Sequence, residues 1–158
     1  MAIETRIDDR LIHGQVIVGW CPSIKPDKLI LCDDAVAANE WEAEIYRDAG
    51  AGYETAICNV DETAKILLNS DLTDKKIFLI VSSPQVLLKL TDLGLKIDKA
   101  VVGGLHYQTG KRKVLDFVYV DDEDLRCFGA LHARNVKLQA MDVPTCRPLD
   151  LAQKLGLN

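Results

Sequence analysis

The chain has 158 residues, enough for one domain spanning 1–158 and short for two. With 48% hydrophobic and 27% charged residues, it has an ordinary globular composition rather than a disordered or fibrous one. The net charge of −5 argues against a nucleic-acid partner, because a phosphate backbone calls for a basic face. Apolar runs such as Leu29–Cys32 and Ile77–Val81 are strand-length, far short of the roughly 20 residues that cross a bilayer, so no membrane span is expected. Glu4, Arg6, Asp8, Asp9 and Arg10 interrupt any signal-peptide core, and the expected location is cytoplasmic. The five cysteines are odd in number and lack Cys-x-x-Cys spacing, which suits free thiols in a reducing compartment. The three histidines lie far apart in sequence, and no metal is expected.

Strand-like runs and helical periodicity alternate along the chain. Ile3, Thr5 and Ile7 mark a first strand, and Val16 and Trp20 then share one helical face. Leu29–Cys32 is a second strand, followed by a helix with Ala37, Trp41 and Ile45 on one face. Thr55–Cys58 precedes a helix capped by Asn59 and burying Ala64, Leu67 and Leu68. Ile77–Val81 precedes another, capped by Ser83 with Pro84 in its first turn and burying Val86, Leu87, Leu90 and Leu93. Continuous apolar strands of this kind suit a parallel sheet covered on both faces.

After Ala100–Val102 the pattern changes. Gly103 and Gly104 open a loop, and Thr109-Gly110 reads as a tight turn between short strands, the second running from about Val114 to Val120. The acidic run Asp121–Asp124 favours the dipole of a following helix that buries Leu125, Phe128 and Leu131, and reads as a solvated helix start. Val136–Ala140 alternates, as an edge strand would, and is read as a candidate antiparallel member. Pro144 and Pro148 punctuate a short C-terminal helix. The expected fold is α/β: one doubly wound domain with a mostly parallel sheet of about seven strands, helices on both faces, and an edge hairpin or antiparallel strand.

In such a sheet, ligands bind outside the carboxyl ends of the strands. Those ends carry Asp8–Gln15, Asp33–Asp34, Asn59, Ser82–Ser83 and Gly103–Gln108. The first loop, Asp8-Asp9-Arg10-Leu11-Ile12-His13-Gly14-Gln15, sets a histidine just ahead of a helix. Unpaired N–H groups around Gly14 and Gln15 would favour an anion there. Arg10 offers a fork of donors to a tetrahedral oxyanion, and Asp8 or Asp9 could fix the imidazole tautomer. A nucleophilic histidine with an anion cradle and an arginine suits phosphoryl transfer, which rests on positioning and charge stabilisation. A histidine ahead of a helix also reads as a cap or a hydrogen-bonded structural residue. Neither Gly-x-Gly-x-x-Gly nor Gly-x4-Gly-Lys-Ser/Thr occurs, so the usual nucleotide fingerprints are missing.

The segment Arg6-Ile7-Asp8-Asp9-Arg10-Leu11-Ile12-His13-Gly14-Gln15-Val16 closely resembles the active-site segment of IIB subunits of the mannose/fructose/sorbose family of the bacterial phosphotransferase system. The similarity continues in Asp33-Asp34, in Val102–Tyr107 with Gly110–Lys113, in Val118–Asp121 and in Gln139–Pro144, and so covers nearly the whole chain. The resemblance implies a phosphocarrier. A IIA protein would phosphorylate His13 on Nδ1, and the phosphoryl group would pass to a sugar bound by membrane subunits IIC and IID, coupling uptake to phosphorylation. Arg10 and Asp9 would assist His13, while Arg10 with Ile12, Gly14 and Gln15 would hold the phosphoryl oxygens. Asp8 and His106 stand as candidate supports behind them. No cofactor is implied. Leu11 and Ile12 read either as a dry rim for IIA or as core anchors of the loop, and Lys111–Lys113 as a charged hairpin or a docking patch. His132 reads as structural or solvated. Two other functions remain open at this level: a IIB-like regulator signalling through His13, and a small-molecule-binding module without a covalent step.

Overall fold

A computed structural model describes residues 1–157. The chain runs through strands β1 (Ala2–Asp8), β2 (Lys28–Cys32), β3 (Thr55–Cys58), β4 (Lys76–Val81), β5 (Lys99–Gly104), β6 (Arg112–Leu115), β7 (Val118–Val120), β8 (Lys137–Ala140) and β9 (Leu149–Asp150). Between β1 and β2 a π-helical segment, Gln15–Trp20, continues into α1 (Cys21–Ile24). The remaining helices are α2 (Asp34–Ala38), α3 (Glu40–Ala49), α4 (Val60–Leu67), α5 (Pro84–Asp92), α6 (Asp122–Ala133) and α7 (Leu151–Lys154).

Among the described residues one sheet carries seven strands in the order β3-β2-β4-β1-β5-β8-β9, and β6 and β7 pair separately. The strands from β3 to β8 are parallel, and β9 pairs antiparallel with β8. The alternation of side chains along each strand splits the core in two. Ile30, Ile77, Leu79, Val81, Ala100 and Val102 join one cluster, which α4, α5 and α6 cover with Leu67, Leu87 and Phe128. Leu29, Leu31, Phe78, Ile80 and Val101 point the other way and meet Val16, Trp20, Cys21 and Val36. Both faces are covered, as expected from the continuous apolar strands.

Local signals place most helix starts. Asn59 and Glu62 form a capping box, and Ser83 accepts from Val86 N with Pro84 following it. Replacing Asn59 by Ala leaves the first-turn N–H of Glu62 without its acceptor. It should lower unfolding stability by about 1 kcal/mol in urea denaturation.

The structure departs from the expectations at several points. Val136–Ala140 supplies β8, which runs parallel to β5, and it alternates because Val136, Leu138 and Ala140 face one core cluster while Lys137 and Gln139 point to the other, less covered face. The expected strand over Val114–Val120 is interrupted. The chain reverses at Asp116–Phe117 between β6 and β7, while Gly110, at φ 90°, turns the loop one step earlier. Trp41 and Ile45 are 77% and 46% exposed, because Asn39 ends α2 and recaps α3, rotating the face that buries Ala43. Leu68 and Leu93, each at a helix end, are also exposed, and Cys127 and Phe128 rather than Leu125 lead the buried face of α6. The acidic run is not simply solvated. Asp124 is 2% exposed and accepts from Gln85 Nε2, Lys111 Nζ and Asp121 N.

All five cysteines are free thiols; Cys21, Cys32, Cys58 and Cys127 are buried and Cys146 is exposed. Burial pushes the Cys21 thiol up to about 11 and that of Cys32 up to about 12. Among the described residues, no helix is long and apolar enough to cross a membrane.

Candidate active site at the carboxyl end of the first strand

The connection leaving β1 packs with the Val16–Trp20 cluster, whereas α5, which follows β4, and α6, which follows β5 by way of the β6–β7 hairpin, cover the opposite face. Chain departures in opposite directions open a crevice where β1 ends. Asp8, the last residue of β1, lies in that crevice with its side chain fully buried.

Asp8 is the hub of the site. Its Oδ1 accepts from Arg10 N at 3.1 Å and Arg10 Nε at 3.0 Å. Its Oδ2 accepts from Arg10 Nη2 at 3.1 Å and Arg6 Nε at 3.3 Å, and lies 3.3 Å from His13 Nε2. Burial would by itself raise the carboxyl pKa. The hydrogen bonds from His13 and Arg10 and the charges of Arg6 and Arg10 outweigh it and hold the group at about 2. An ionised carboxylate can only accept, so the hydrogen bond requires the proton on His13 Nε2. In the neutral ring, Nδ1 then keeps its lone pair, and it has no hydrogen-bond partner among the described residues. The His13 side chain is 20% exposed, enough to be reached from outside.

The loop after Asp8 is pinned from below. Leu11 and Ile12 are buried with Val16 and Trp20, so they anchor the loop in the core and do not form an exposed rim. Leu11 takes φ 63°, a left-handed conformation that costs about 1–3 kcal/mol and persists only where surroundings enforce it. Here the enforcing contacts are its burial and the bond from Leu11 N to Asp8 O. The N–H groups of Ile12, His13, Gly14 and Gln15 donate to no acceptor among the described residues, whereas Val16 N and Ile17 N already reach back to His13 O. Four successive free amides are a ready anion cradle. A Cβ on Gly14 would enter open space, so the surface beside His13 is uncrowded there. Beside it an open groove of about 820 Å³ is lined by Gly14, Gln15, Val18, Gly19, Pro144 and Thr145 among others.

Asp9 does not orient His13. Its two oxygens take the backbone N–H and Nδ1 of His106, each at 2.6 Å, and its own N–H donates to Gly104 O. The loops after β1 and β5 are thereby stitched together. A Cβ on Gly104 would meet His106 Cε1 at 3.0 Å and both Arg10 Nη2 and Asp8 Oδ1 at 3.2 Å, which places His106 at the rim of the same site. Arg10 spends one edge of its fork on Asp8, a bond that raises its pKa, and Nη1 has no partner among the described residues. The basic turn is already paired, Lys111 with Asp124, Arg112 with Asp122 and Lys113 with Asp116, so the hairpin offers no free basic patch. Asp33 and Asp34 serve local structure: Asp33 accepts from Val36 N and Ser82 Oγ, and Asp34 from Val60 N. His132 lies in the last turn of α6, away from this loop.

Arg6 carries more of the site than its place in the motif suggests. It is 1% exposed, stacks 4.6 Å from the Trp20 ring centroid, and donates to the carbonyls of Met141 and Asp142. The readable signal was parity, since residues two apart in a strand share a face and Arg6 and Asp8 must meet.

A family model described as "PTS system sorbose subfamily IIB component" matches residues 3–158. The N-acetylgalactosamine-specific phosphotransferase enzyme IIB component 1 of Escherichia coli (strain K12) is 34% identical over 142 residues, 89% of this chain and 89% of that protein. The mannose-specific EIIAB component of the same organism is 30% identical over 95% of this chain, which spans about half (48%) of that longer protein. The crystal structure of the IIBSor domain of the sorbose permease from Klebsiella pneumoniae superposes with a TM-score of 0.93 at 27% identity, covering 99% of this chain and 97% of that one. The chain belongs to the mannose, fructose and sorbose family of IIB components and is a IIB component of a sugar phosphotransferase system.

Proposed function

We propose that His13 is the phosphoryl carrier of this component, with Nδ1 as the accepting atom. The observation that carries the reading is the Asp8–His13 contact, which leaves Nδ1 as the nucleophilic nitrogen beside four unused amides. A IIA phosphohistidine docks over the Gly14–Gln15 lip. As its N–P bond breaks, a new one forms to His13 Nδ1, and the donor imidazole leaves with the electron pair. The N–H groups of Ile12, Gly14 and Gln15 and the free Nη1 of Arg10 take the phosphoryl oxygens, and Asp8 holds the charge that develops on the His13 ring. The Nδ1–P bond then breaks, the His13 ring keeping the electron pair, as a hydroxyl oxygen of a sugar presented by the membrane subunits IIC and IID at the cytoplasmic face takes the phosphoryl group and loses its proton to solvent. The EIIAB name of the mannose-specific relative supports IIA as the donor. Asp9 and His106 act as a strut between loops.

The test is incubation with phosphoenolpyruvate, the general phosphotransferase proteins and a IIA of this family. The expected product is an acid-labile, base-stable phosphoryl group that maps to Nδ1 of His13 and is lost in His13→Ala. An unmodified protein, or a phosphoryl group on another residue, overturns the reading. In the same assay Arg10→Ala should slow transfer by about 10²-fold, the usual loss for one preorganised donor, while circular dichroism shows a folded protein. Wild-type rates in that variant would remove Arg10 from the mechanism.

A further inference from the structure

We infer that Asp142 is a resident anion that competes with the phosphoryl group for Arg10 and so sets how readily the protein gives that group up. The inference rests on the reading of His13 as the carrier. Asp142 Oδ1 lies 3.8 Å from Arg10 Nη2, close enough to attract and too long for a hydrogen bond. Its backbone cannot drift. Arg6 Nη2 donates to the Asp142 carbonyl at 2.9 Å, Trp20 Nε1 donates to the same oxygen at 3.2 Å, and Arg6 Nη1 holds the Met141 carbonyl at 3.1 Å. Met141 N is tied in turn to Val102 O. The 40% exposed carboxylate is the part left able to move, and no hydrogen bond holds it among the described residues. The other acids of the crevice look different: Asp8, Asp9 and Asp33 each accept hydrogen bonds.

Two anions therefore face one guanidinium. Before transfer, Asp142 partly offsets the charge of Arg10. Once His13 carries a phosphoryl group, with a charge near −2 as in other phosphorylated side chains, Asp142 repels it across Arg10. Like charge destabilises the phosphorylated state relative to the free one, so onward transfer is favoured. Asp142 makes and breaks no covalent bond; it is a positioning residue for charge.

Asp142→Asn keeps the shape and removes the charge. At low salt it should shift the transfer equilibrium with phosphorylated IIA toward phospho-His13 by roughly three- to tenfold, the order of magnitude for one neighbouring charge acting near a surface. Asp142→Glu should stay near wild type, and the Asn effect should fade at about 1 M salt, where the screening length falls to about 3 Å. A parallel titration uses inorganic phosphate on unphosphorylated protein, followed by the Arg10 Nε–H resonance. There Asp142→Asn should bind roughly three- to tenfold more tightly. Unchanged equilibria, a shift that survives high salt, or the same shift in Asp142→Glu overturns the inference. If the wild type takes no phosphoryl group at all, the proposed carrier role falls, and the phosphate titration still decides the rivalry for Arg10.

Discussion

Replacing Asp8 with asparagine should destabilise the protein by about 3–5 kcal/mol, because it strands a buried guanidinium. Arg6 is 1% exposed and Asp8 is the carboxylate that touches it; its other acceptors are two backbone carbonyls. Burial already pushes the Arg6 pKa down, against the attraction of Asp8, so losing that attraction leaves the desolvation cost opposed only by the weaker pull of Asp142 and two carbonyls. Urea denaturation measures the loss. The paired variant Arg6→Met/Asp8→Asn removes both charges and should lose clearly less than the two single changes added together, since coupled partners are not additive. A loss below about 1 kcal/mol in Asp8→Asn would show that the ion cluster carries no such weight.

The same carboxylate sets an acid limit. It titrates at about 2 when folded, against about 3.9 for an unfolded aspartate, so the unfolded chain binds the proton more readily. Its contribution is complete above about pH 4 and disappears as pH falls toward 2, which amounts to about 2–3 kcal/mol. Wild-type stability should fall across that window, and Asp8→Asn should lack this part of the decline.

Gly103→Ala should have an effect of similar size, starting from a steric clash. A Cβ at this position of β5 would fall inside the guanidinium of Arg6. That group has no room to retreat, being held by Asp8, by the Met141 and Asp142 carbonyls and by the Trp20 ring. Overpacking costs about 1–3 kcal/mol, and displacing Arg6 from its carboxylate brings the total to about 3–5 kcal/mol. In an Arg6→Ala background the obstacle is gone, and Gly103→Ala should cost under about 1 kcal/mol. A well-tolerated Gly103→Ala in the wild-type chain would place the guanidinium elsewhere.

Much of this was legible in the sequence. Hydrophobic runs, caps at Asn59 and Ser83 and the acidic start at Asp121–Asp124 placed the strands from β1 to β5 and three helices, because those signals are local. The histidine loop stood out by its density of polar residues at a strand end. Less legible was anything decided by distant partners. Asp9 pairs with His106, 97 residues away, and nothing in the loop itself separates that pairing from one with His13. Trp41 and Ile45 follow a helical period, yet a break at Asn39 turns them outward. Asp124 sits in an acidic stretch typical of a wet helix start, and only the arrival of Lys111 and Gln85 draws it inside.

The distribution of thiols has a practical use. Cys21, Cys32, Cys58 and Cys127 are buried with raised pKa values and should resist alkylation, while Cys146 is exposed one residue beyond Thr145 on the lip of the groove. A maleimide fluorophore added to the unaltered chain should therefore report from Cys146, where quenching or a change in anisotropy would follow the proposed docking of IIA beside His13.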